Sequence, residues 1–100
     1  MKTNLTFDLI DGTFQPFEAK TVLFTLIKDK INFHEQEIFS ANERFGADLP
    51  HSKRRIKDLN EALTRIEEVI NEIEKFNYEI KISGTIEIVA VEKFQKNEVF

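Results

Sequence analysis

Hydrophobic and polar positions along this chain change period twice. At the start, Leu5, Phe7 and Leu9 alternate with Thr6 and Asp8, the period of two expected when successive side chains point to opposite faces of a strand. That strand is expected over 4–11, with a turn at Asp11-Gly12, where glycine accepts positive φ without a Cβ clash. Gln15-Pro16-Phe17-Glu18 then has the form of a helix start. Proline suits the first helical position, because its missing N–H would lack an intrahelical partner anyway. Glu18 stands where a capping-box acid belongs.

From there the period lengthens. Phe17, Phe24, Ile27, Ile31, His34, Ile38, Ala41 and Phe45 recur in threes, fours and one seven, the seam of a packed helix pair. A helix is expected over 16–45, with Gly46 as its left-handed cap. Lys20 fills the skipped place, near the helix start, where its stem can lie along the surface and its amine reach water. Ile56, Leu59, Leu63, Ile66, Ile70 and Ile73 repeat the rhythm and predict a second helix over 51–77, capped by Asp48 or Ser52. The connection Gly46-Ala47-Asp48-Leu49-Pro50 is short, so the helices become antiparallel neighbours, an αα-hairpin of rods roughly 40 Å long.

After Asn77 the period of two returns. Tyr78, Ile80, Ile82, Ile86 and Ile88 share one face, against Glu79, Lys81, Thr85 and Glu87. A three-residue loop at Ser83-Gly84-Thr85 would set Ile82 against Ile86, Ile80 against Ile88 and Lys81 against Glu87. One long strand over 78–92, carrying Gly84 at a bulge, is also coherent and is preferred, since glycine does not usually sit at the centre of a three-residue loop. The tail 95–100 is expected to fray.

Apolar breadth varies along the hairpin. Val22, Leu26 and Phe33 add a second stripe to the first half of helix one, and Ala62, Val69 and Phe76 widen the far end of helix two. These wide regions lie side by side in an antiparallel pair, so a third body must cover both, and the terminal strands are the candidate. The fold class is therefore α+β, in the order β-α-α-β, or β-α-α-β-β if the last segment is a hairpin, with a long antiparallel helical hairpin packed at its base on a small antiparallel sheet. Its tip, about 38–59, projects. A two-stranded sheet is marginal by itself, so a second copy is expected to complete the fold, by extending the sheet to four strands, forming a four-helix bundle, or both.

Composition adds bounds. One hundred residues with 41% apolar content suit a single domain, 1–100. Fourteen Lys and Arg against 18 Asp and Glu give a net charge of −4, spread evenly. The absence of cysteine excludes disulfide scaffolds, thiolate metal sites and cysteine nucleophiles. No apolar run reaches the roughly 20 residues of a membrane span, and Asp8 stands where a signal peptide needs an apolar stretch. A cytoplasmic domain without membrane partners is expected.

Candidate chemistry is sparse. His34 lies in the apolar seam, expected near Leu59 or Leu63, with Glu35 and Glu37 turned away. A di-iron site would need a glutamate three residues earlier, where Ile31 stands, so a core histidine is the expectation. His51 has no spaced partner. Lys53, Arg54, Arg55 and Lys57 open helix two, and Glu67, Glu68, Glu72 and Glu74 crowd its end, both against the helix macrodipole. The basic group is a candidate anion or partner contact. The net charge and the absence of basic–aromatic interleaving speak against nucleic acid. Most of the ten phenylalanines fall on expected core faces, except Phe39, a candidate partner contact among Lys28, Asn32 and Glu35. Catalytic templates, metal sites and cofactor motifs are absent. The expectation is a non-catalytic homodimeric interaction or scaffold module using a projecting hairpin, with an unidentified protein partner as a further candidate beside self-association. The alternative is a small-ligand or anion-binding protein, and a nucleic-acid regulator ranks third.

Overall fold

The structure is a computed structural model that describes residues 3–45 and 49–92, with side chains over 3–42 and 49–92. Gly46, Asp48 and the 95–100 tail lie outside the described residues. The elements are β1 (Asn4–Phe14), α1 (Pro16–Phe45), α2 (Pro50–Glu74) and β2 (Ile80–Val89). The two helices form the expected antiparallel hairpin, and β1 and β2 form a two-stranded antiparallel ribbon.

β1 runs through Asp11-Gly12 instead of turning there, and Gly12 pairs with Ile82. The reason is a bulge. The register steps between Asp8 and Ile10, making Leu9 the extra residue. An apolar set at 5 and 7 thus continues at 10, 12 and 14, opposite Ile88, Ile86, Gly84, Ile82 and Ile80. Two glycines sit close against its side chains. A Cβ on Gly84 would stand 3.3 Å from Ile10 Cγ2, and one on Gly12 would meet the Phe14 ring at 3.3 Å. The last segment is one long strand, and the bulge lies on the strand facing Gly84. On the other face Thr85 Oγ1 donates to Asp8 Oδ1 at 3.3 Å.

Pro16 opens α1, and the Gln15 N–H donates to Glu18 Oε1 at 3.0 Å, one arm of a capping box. α2 begins at Leu49-Pro50 without a side-chain cap, so Ser52, expected as a cap, lies inside the helix. Pro50 at the first positions supplies the start instead. α2 ends at Glu74, earlier than the expected 77. Lys75, Phe76 and Asn77 donate to the carbonyls of Glu72, Ile73 and Glu74, tightening the last turn. Asn77 then adopts φ 58°, turning the chain toward β2.

The helix seam holds: Ile27, Ile31, Ile38, Leu59, Leu63, Ile66 and Ile73 are partly buried, and Ile70 is buried. Phe17 does not join it, being 77% exposed, while Ala19, on another face of α1, is fully buried. Lys20 bridges the hairpin to Glu67 at 3.3 Å and lies over the Phe24 ring.

The ribbon covers less of the hairpin than its apolar breadth requires. Leu26, Phe33, Val69 and Phe76 all remain exposed. The expectation that most phenylalanines are core fails with them: Phe7, Phe17, Phe33, Phe39 and Phe76 are exposed. A radius of gyration of 17.1 Å, within extents of 50 × 38 × 15 Å, compares with about 13 Å for a compact chain of this length. The molecule is a thin plate.

Candidate interaction surfaces

The first surface is the ribbon. Beyond Gly84, Leu5, Phe7, Leu9, Ile86 and Ile88 are exposed, although the strand pairing sets Leu5 against Ile88 and Phe7 against Ile86 as an apolar patch. The near half, Ile80 and Ile82, is half-buried instead. These two line an open groove of about 430 Å³ with Leu23 of α1 and Ile66, Val69, Ile70 and Ile73 of α2, together with Arg65, Lys81 and Ser83. No β1 residue lines it, so it runs between α2 and β2.

Backbone groups sharpen this picture. The Ala90 N–H donates to the Thr3 carbonyl at 3.1 Å, which points the even-numbered residues of β2 toward β1. Along an antiparallel strand the direction alternates, so Lys81, Ser83, Thr85 and Glu87 turn their N–H and C=O groups to the other edge. Among the described residues no strand pairs there.

The second surface is the helical arm. Phe39 is 62% exposed, as its position among polar residues led us to expect. The basic start of α2 lies on the same arm. Lys53, Arg54 and Lys57 are exposed, whereas Arg55 is half-buried and pairs with Asp58 at 3.7 Å. Lys75 pairs with Glu72 at 3.0 Å and Arg65 lies 4.0 Å from Glu61, so local pairs offset part of the unfavourable charge order on α2.

A polar cluster inside the arm was only half legible. His34 is fully buried, and its Nδ1 lies 3.2 Å from Glu37 Oε1 without forming a well-directed hydrogen bond. Ser52, also buried, donates to the same Glu37 oxygen at 3.5 Å. Glu37 was expected to turn away, yet three residues along a helix is a neighbouring position, and that spacing was the overlooked signal. Lys20 facing Glu67 and Glu37 facing Ser52 set a register that places His34 at the level of Arg55, toward the bend from the expected Leu59 or Leu63. Burial, with Lys30 and Arg55 nearby, lowers the His34 pKa against the pull of Glu37. Burial and Arg55 likewise lower Lys30.

Among the described residues no cluster of His, Cys, Asp or Glu is suited to a metal ion, and no helix is long and apolar enough to cross a membrane. Comparison with family models, curated proteins and solved structures returns no match.

Proposed function

We propose that this protein is a non-catalytic homodimeric interaction module of the cytoplasm, completed by a second copy of itself and presenting its helical arm, with Phe39, to a further protein partner. One observation carries the reading. Leu5, Leu9, Phe17, Val69, Phe76, Ile88 and Val89 are each more than half exposed, more apolar surface than a stable single subunit usually leaves in water. A chain in which Ala19 and Ile70 are the buried apolar residues among those described has little core of its own. Association is the physical remedy. Sedimentation across a wide concentration range tests this: a dimer is expected, and a concentration-independent monomer defeats the proposal.

The runner-up, anion binding at the start of α2, draws on Arg55 and Lys30 bringing positive charge to one level of the seam. Inorganic phosphate raising the melting temperature, with loss of that effect in Arg55→Gln, would favour it.

A further inference from the structure

Resting on the self-association proposed above, we infer that two chains join edge to edge through β2, antiparallel, about a two-fold axis at Gly84, giving a four-stranded sheet. The pattern around Gly84 is self-complementary. A two-fold axis there sets Ile82 opposite the partner's Ile86, Ile80 opposite the partner's Ile88, Ser83 opposite the partner's Thr85 and Lys81 opposite the partner's Glu87. These are the pairings a tight loop would have made within one chain. The strand runs straight through 80–89 instead, so only a second strand can make them. A slip of one residue would set isoleucine against charge, and a slip of two would lose both ion pairs.

Backbone direction agrees. The amides of Lys81, Ser83, Thr85 and Glu87 face the unpaired edge, and this register pairs them with one another. Gly84 then meets its symmetry mate at a non-hydrogen-bonded position, where Cα atoms approach to about 4.5 Å, and glycine brings no side chain to the axis. β1 also has an outer edge, but the bulge at Leu9 breaks it, and bulges are a standard obstacle to edge pairing.

Packing agrees as well. A strand added to β2 lies on the side of the groove under α2. The partner's Ile86 and Ile88, exposed in the single subunit, arrive beside Ile82 and Ile80, which line that groove with Val69 and Ile73. Symmetry covers the far half of each ribbon with the other chain's groove. Ile86, Ile88 and Val89, all exposed in the single subunit, supply apolar surface for such an interface.

Charge reversal tests this on the full chain. Within the subunit Lys81 faces Thr13 and Glu87 faces Thr6, so neither ion pair contributes to the fold of one subunit. Lys81→Glu and Glu87→Lys should each raise the dimer dissociation constant about tenfold or more, by turning two attractive cross-strand pairs into repulsive ones. The double variant should return it to within about threefold of the original, and an equimolar mixture of the two single variants should form a heterodimer. Circular dichroism confirms that each variant is folded; should one fail, slowed amide exchange at Ser83 and Thr85 on raising the concentration of the unaltered chain gives the same answer. A dimer indifferent to both reversals, without protection of those amides, overturns the β2 interface and leaves self-association standing. A monomer at every concentration overturns both.

Discussion

The helical hairpin and the β ribbon are each built from two antiparallel elements, yet they solve opposite problems. The hairpin closes on itself: two seams of isoleucine and leucine meet, and Ile70 and His34 are buried between them. The ribbon satisfies its backbone but not its side chains, since a two-stranded sheet has a face and no opposite layer. Its near half leans on the hairpin, and its far half leaves Leu5, Phe7, Ile86 and Ile88 in water. Two packed rods can hide a stripe from solvent, whereas a flat ribbon can hide nothing without a second body.

The strongest way to break this contrast is at the seam. Ile70→Asp places an unpaired charge at a buried seam position, at a cost of about 3 kcal/mol or more, so loss of the cooperative thermal transition is expected by circular dichroism. On the ribbon, Phe7→Ser with Ile86→Ser removes only side chains that are exposed in the single subunit. The helical signal should persist while self-association weakens by about 2 kcal/mol or more, read by sedimentation. A drop in helicity as large as that of Ile70→Asp would show that the ribbon and hairpin form one core after all.

His34 offers a finer probe of the seam. Its pKa is lowered in the folded chain, first by burial and then by Lys30 and Arg55. The unfolded chain therefore takes up a proton below about pH 6.5 that the folded chain resists. Stability attributable to this group is present above that pH and is lost as pH falls through the depressed value, by at most about 1.4 kcal/mol per pH unit. His34→Leu should flatten the fall in melting temperature between pH 7 and pH 5, and an unchanged slope would assign the acid sensitivity to other groups. The smallest expected effect is on the arm's outer surface. Phe39→Ser should move the melting temperature by less than the equivalent of about 0.5 kcal/mol while reducing capture of any protein that docks on the arm.

Much of the fold was legible because its periodicities are strong. The 16–45 helix and the seam residues from Ile27 to Ile38 follow from spacing alone, whereas spacing suits the final segment equally as a hairpin, and only the place of Gly84 favoured the straight strand. What escaped notice has a common cause. The bulge at Leu9 exists only in the pairing with β2, so Asp11-Gly12 resembles a turn until its partner strand is known. Phe17 continues the seam's spacing yet stays 77% exposed, and Ala19, off the seam, is fully buried. Of the candidate contacts, Phe39 was readable because a lone aromatic among polar neighbours declares itself. The cluster of His34, Glu37, Ser52 and Arg55 was not, because it depends on the sliding register of two helices.

By itself the sequence determined which elements form and which stripe of each is apolar, since local period and turn chemistry act over a few residues. Only the tertiary structure decided how much of that apolar surface one chain can cover, because coverage depends on where elements far apart in the chain lie against one another. Here they lie in a plate 15 Å thick, too thin to enclose what its own pattern marks for burial.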